Sequence, residues 1–340
     1  MINFKNLLIA IFSIGCGIVS YGQSNLLNAK SPSQIGLKSK AQLNSDNDKP
    51  LAYGYVDDRD ILMSRTTWEI IDLGEKINFP LYFPTDTLNI GPDRRSLFDA
   101  LIKGIKKSKI KEVYTDGYFT TKKTVKDINS LLERTFLTEA GMDEFRDKGI
   151  KAKYPKIDGS NLSVTDVNTL VKEGINKEFF DTFKVESDGI VQYKIKGLWY
   201  FDKRQGELKY RLLGICPVIV NNSSLDTADS EQSEAAGSQS NTQKAEPEPN
   251  YIELFWVFFP DARETLYAAK AFNEKNSSMP ISFDQLLNAR RFNSMIYKEE
   301  NVYGDREIKD YMANNALNQL IESDRVKDKI RSFEQDMWNY

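Results

Sequence analysis

The chain has 340 residues, 40% hydrophobic and 11% aromatic, which is material for one large domain or two ordinary ones. A formal net charge of −3 gives none of the basic excess that marks nucleic-acid binding. There is no histidine, which excludes His-based triads and His-ligated metals and removes the side chain that titrates nearest neutrality.

Met1 to Gly22 read as an export signal, with Lys5 in the n-region, an apolar stretch from Leu7 to Val19, and Ser20-Tyr21-Gly22 as a small-x-small cleavage site before Gln23. Ser13-Ile14-Gly15-Cys16 approaches a lipoprotein box, so lipidation of Cys16 is the alternative to its removal. Cleavage after Gly22 leaves Cys216 as the single thiol, expected as a small core residue without a disulfide. Residues 23–52 are polar and aperiodic and predict a flexible arm.

A core of mixed helices and strands is expected over 53–304. Asp57-Asp58-Arg59-Asp60 reads as the cap of a helix running to Leu73, with Ile61, Trp68 and Ile71 on one face and Gly74 as the stop. The prolines of 78–84 predict extended chain. Arg94 to Lys107 predicts an amphipathic helix with Leu97, Phe98, Leu101, Ile102 and Ile105 inward. The basic residues after it, Lys103 to Lys111, suit an anionic surface, although a solvated helix end explains them as well. A short strand at 111–115 and helices over 125–134, 139–147 and 165–173 follow, with loop at 151–163.

The segment from Gly189 to Pro260 predicts the middle of a sheet. Gln192, Lys194 and Lys196 alternate with Val191, Tyr193 and Ile195, and after the turn Lys203-Arg204-Gln205-Gly206 a second strand carries Leu208, Tyr210 and Leu212 on one face. Ile252 to Phe259 is apolar at nearly every position, as in a central strand covered on both faces. Between them, 221–250 is rich in serine and acid and predicts a disordered insertion. Asp261 is expected to cap a helix, further helix at 282–291 and strand at 292–297 follow, and 305–340 forms a helical C-terminal tail suited to docking. The fold class expected is therefore α+β, a mainly antiparallel central sheet with surrounding helices, a flexible N-terminal arm and a helical tail.

Motifs for chemistry are absent or misplaced. Ser108-x-x-Lys111 and Ser45-Asp46-Asn47 stand in the wrong chain order for serine acyltransferases and lack a Lys-Thr-Gly partner. No Gly-x-Ser-x-Gly elbow, phosphate-cradling loop or Cys-x-x-Cys occurs. Asp202 and Asp261, at the ends of the first and third predicted strands, are the carboxylates to test as a glycosidase-type pair, against an ordinary role in turns and caps. No catalytic, cofactor-binding or metal-binding residue is assigned.

Five strings carry a resemblance. Gly197 to Lys203, Arg211 to Pro217, Phe255 to Arg263, Arg290 to Glu299 and Phe333 to Trp338 resemble, in order, the GldN/PorN family of gliding-motility and type IX secretion proteins of the Bacteroidetes, over about residues 53–340. The resemblance implies a non-enzymatic periplasmic component, peripheral to the inner face of the outer membrane and without a cofactor. It also implies self-association in a ring with the GldK/PorK lipoprotein, coupled to a motor of GldL/PorL and GldM/PorM proteins. The alternative read from the residues is an exported cell-wall or polysaccharide hydrolase using the carboxylate pair.

Overall fold

A computed structural model describes residues 49–86, 94–155, 157, 159, 162–220, 251–273, 281–312 and 315–338. The expected export signal, nearly all of the expected arm and the expected insertion at 221–250 lie outside the described residues. Tyr53–Phe272 with Ile281–Tyr340 fold as one unit, α+β in class and built on a mainly antiparallel sheet.

The sheet is organised by two long paired strands, β6 (Ile190–Asp202) and β7 (Glu207–Val220). Their turn is closed by Asp202, whose side chain accepts from the Arg204 and Gln205 amides. Strand β1 (Ile61–Asp72) runs antiparallel to β6 from Ile61↔Asp202 to Asp72↔Gln192. Strand order is β12-β1-β6-β7-β9-β2-β3, with β2 Val113–Tyr114, β3 Lys122–Lys123, β9 Trp256–Phe258 and β12 Met295–Glu299. The predicted trio of strands thus lies at the centre.

Two features of the central strands differ from the expected pattern. A register shift between Ile190 and Gln192 interrupts the alternation at the start of β6, leaving Val191 exposed and Gln192 buried. The apolar run 252–259 is broken rather than continuous. β8 (Tyr251–Glu253) pairs with the end of β7, Leu254 and Phe255 step inward, and β9 resumes beside Gly214 and Ile215.

The segment expected as a capped helix at 61–73 is β1. Trp68 and Ile71 fit one helical face, but in a strand an odd separation sends them to opposite faces. Trp68 packs with Tyr114, Cys216 and Trp256, whereas Ile71 joins the core beneath the helices. Asp57 does cap, but only a 3-10 turn over Asp58–Asp60. Residues 79–82, expected extended, form the short helix α1 (Phe79–Tyr82), whose first turn tolerates Pro80.

One face of the sheet carries the helices. In α2 (Leu97–Lys106), Ser96 accepts from the Asp99 amide, and all five predicted inward residues are buried. The helix α3 (Val125–Leu132) is shorter than expected because Glu133–Leu137 peels off as β4 and pairs with β5 (Phe180–Lys184). With α4 (Glu139–Asp147), α5 (Ile150–Lys153) and α6 (Val164–Lys172), this ribbon encloses its own small core of Leu137, Phe145, Ile150, Leu170 and Ile175. The predicted loop at 151–163 feeds that core through Ile157 and Leu162.

The helix after β9 begins before Asp261. It is α7 (Phe259–Ala268), with Phe258 at the cap position and Pro260 in the first turn, where proline's missing N–H costs nothing. A pair of two-residue strands, β10 (Lys270–Ala271) and β11 (Ile281–Ser282), leads to α8 (Phe283–Asn288), opened by a Ser282–Gln285 capping box. Strand β12 starts three residues later than expected. The tail is helical, as predicted, in α9 (Ile308–Tyr311) and α10 (Ala316–Trp338), and α10 lies against β12 and β7.

Candidate functional site

Between the helical layers α7–α8 and α10 on the sheet lies a buried polar cluster. Its centre is Glu69 on β1, opposite Ile195 and Ile296, with its side chain buried. Arg290, just after α8, reaches it with both terminal nitrogens, at 2.7 Å to Oε2 and 3.3 Å to Oε1. Thr67 donates to Oε1 and Ser294 to Oε2. Arg290 takes a left-handed backbone, φ 49°, which turns the chain back and aims its guanidinium inward. That guanidinium lies 4.1 Å from the Tyr210 ring centroid and 4.9 Å from that of Trp199. Burial opposes the Arg290 charge, but the Glu69 carboxylate and Tyr210 outweigh it and raise its pKa above the ordinary guanidinium value.

A cavity of about 390 Å³ opens beside this cluster, between β12 and α10, with Trp199, Phe292, Lys327 and Glu334 in its wall. Lys327 donates to the Ser294 carbonyl at 2.7 Å. Both Glu69 oxygens are occupied and its charge is matched by Arg290, so the cluster offers no free base at the cavity.

The predicted carboxylate pair is not brought together. Asp202 faces Glu207 at one end of the β6–β7 hairpin, whereas Phe258, just before α7, pairs with Gly214 seven residues along β7. At about 3.3 Å per residue the two acids stand roughly 20 Å apart, well beyond the 5–10 Å that glycoside hydrolysis uses. Asp202 also receives Lys209 at 3.3 Å. Burial works against its charge, but Lys209 and the two turn amides prevail and hold its pKa below the usual carboxylate value. It serves the turn.

On the opposite sheet face, Lys196 and Lys298 stand on either side of Trp68 as its cross-strand partners. Lys196 sits 4.9 Å from the Trp68 ring and 5.1 Å from Tyr118, and Lys298 4.6 and 4.7 Å from the same rings. The loop carrying Tyr118 folds over the sheet because Gly117 and Gly214 leave room: a Cβ on Gly214 would stand 2.6 Å from the Phe119 ring. Partial burial, helped by the like charge of Lys298, lowers the Lys196 pKa. Trp256 is fully buried, and so is Cys216, the thiol expected in the core. Among the described residues no group of three or more His, Cys, Asp or Glu side chains is arranged for a metal.

Large apolar side chains are exposed at scattered places among the described residues, and three of them share one side of a helix. Leu317, Leu320 and Ile321, on one side of the first turns of α10, are 61%, 45% and 57% accessible. Tyr303 and Tyr311, whose rings both lie near the Arg306 guanidinium, precede the helix in the chain and are also exposed. Later in α10, Val326 and Ile330 are buried against Ile296. The helix is therefore docked by one half and bare on the other.

The family described as gliding motility associated protein GldN matches residues 56–339, spanning the sheet, both helical layers and the exposed start of α10. The chain belongs to the GldN family. It is thus a component of the gliding-motility and type IX secretion machinery. No curated protein sequence matches it. As a GldN-family member it belongs to a structural family not known for enzymes. The polar cluster was missed at the sequence level, although Arg290 and Ser294 lie inside one of the five resembling strings. Nothing in the sequence pairs them with Glu69, 221 residues away from Arg290.

Proposed function

We propose that this GldN-family chain is a non-enzymatic structural subunit of the periplasm, held at the inner face of the outer membrane by a GldK/PorK-type lipoprotein. The two proteins together form the ring, and the ring meets the GldL- and GldM-type motor proteins. Family membership supports the machinery, and the sequence's export signal supports the compartment. The observation that carries the reading is the exposed stripe of Leu317, Leu320 and Ile321. A helix fixed at its far end presents apolar residues three and four apart, the spacing of a helix that meets a second surface. Repeated around a ring, contacts that are weak singly become a stable assembly.

The test is size-exclusion chromatography of the protein with its lipoprotein partner, for the wild type and for the triple substitution Leu317→Asp, Leu320→Asp and Ile321→Asp. Co-elution as a large complex is expected for the wild type and its loss for the variant, with an unchanged melting temperature. A wild type that never co-elutes, or that degrades peptidoglycan in a zymogram, removes the proposal.

A further inference from the structure

Lys327, Arg331 and Glu334 share one side of α10, within about 60° of one another at about 100° per residue, and all three line the cavity of about 390 Å³ beside β12. That volume falls among small-ligand pockets, which run from about 300 to 1,000 Å³ and combine an apolar lining with a few convergent polar groups. The sheet side of the cavity is apolar at Trp199, Leu208 and Phe292. Its charges there, Glu69 and Arg290, lie 2.7 Å apart and cancel. The helix side therefore sets the electrostatics.

The three helix charges keep binding capacity. Lys327 donates to the Ser294 carbonyl at 2.7 Å, which holds its ammonium at the rim, and its carboxylate neighbour Asp324 is 3.7 Å away and 63% accessible. Arg331 meets Asp328 at 3.3 Å with both side chains well exposed. Exposed pairs of this kind are weak and give way to a better-placed anion. Glu334 has no cation within ion-pair distance among the described residues, and the Leu208 amide reaches its Oε1 only at 3.5 Å. Two cations are thus followed by one anion along the cavity. Measured on the helix axis at about 1.5 Å per residue, Glu334 lies about 7.5 Å from the midpoint of Lys327 and Arg331. Two extended residues span about 7 Å, so the two ends of a dipeptide match that separation and the charges of a single amino acid do not.

We propose that this cavity binds a short zwitterionic peptide of about two residues bearing an apolar side chain. Its carboxylate sits between Lys327 and Arg331, its ammonium meets Glu334, and its side chain packs against Trp199 and Phe292. The binding does not depend on the ring reading.

Trp199 reports on the site. Nitrogen-15 NMR of the full chain shows one indole N–H signal for each of its four tryptophans, and Trp199→Phe identifies the one that belongs to the cavity. Titration with alanyl-phenylalanine should move that signal saturably. Alanyl-phenylalaninamide lacks the carboxylate and N-acetyl-alanyl-phenylalanine lacks the ammonium, and each should bind about tenfold more weakly or worse, as the loss of a charged hydrogen bond costs. These blocked peptides test the charges on the unaltered chain. Arg331→Gln should weaken the free dipeptide by a similar factor without further weakening the amide, and its melting curve should overlay that of the wild type. The absence of a saturable shift, either blocked peptide binding as tightly as the free one, or an unchanged affinity in Arg331→Gln overturns the proposal.

Discussion

Glu69 and Arg290 illustrate how a buried charge sets its own stakes. Taking either out of water is costly, and the pair recovers that cost because Thr67 and Ser294 fill the remaining carboxylate positions. Removing one partner strands the other. Glu69→Gln and Arg290→Met should each destabilise the fold by about 3–5 kcal/mol in urea unfolding, while the double replacement Glu69→Met with Arg290→Met should cost less than either single change. Additive costs would mean that the two side chains act separately. Asp202 offers a pH test of a different sign. Its folded pKa lies below the unfolded value, so its contribution is present above about pH 4 and is lost as pH falls through the folded value. Asp202→Asn should flatten the acid limb of stability against pH and leave the limb above neutrality unmoved. An acid limb of unchanged steepness would show that the turn does not need the charge.

At the scale of elements, strands buried on both faces explain most of the differences between pattern and structure. In β1 the two faces serve different clusters, so its apolar residues lose the period of two and happen to match a helix; the long pairing with β6, invisible locally, decides the outcome. The hairpin β6–β7 was legible because a glycine-bearing polar turn separates its alternating halves, and α2 because its inward residues repeat at helical spacing. The β4–β5 ribbon was not, since its two strands lie some forty residues apart. Close approach is equally silent in a sequence. Phe119, at a left-handed φ of 60°, covers Gly214 so tightly that Gly214→Ala should cost about 1–3 kcal/mol. Adding Phe119→Leu should recover part of that loss in thermal unfolding. No recovery would place the strain elsewhere.

For the whole molecule, family and fold class were readable from five separated strings and from the central hairpin, but the division of labour within the tail needed coordinates. Expected as one docking arm, α10 has two parts with different duties. Its later turns cover the sheet edge at β12: Ser323 accepts from the Ile296 amide, and Val326 and Ile330 fill the cluster with Trp199 and Leu208. Its first turns face outward. Truncating the tail would therefore confound folding with assembly, because it uncovers Ile296 along with any interface. Point substitutions separate them. Val326→Ala with Ile330→Ala should cost several kcal/mol, by the usual penalty of about 1–4 kcal/mol for each buried truncation, and should leave the proposed association with the lipoprotein intact wherever the protein remains folded. Leu317→Asp, Leu320→Asp and Ile321→Asp should do the reverse, abolishing co-elution with the lipoprotein while the melting curve stays in place. If both sets lower the melting temperature equally, the first turns of α10 are part of the core in solution, and the outward stripe is no interface.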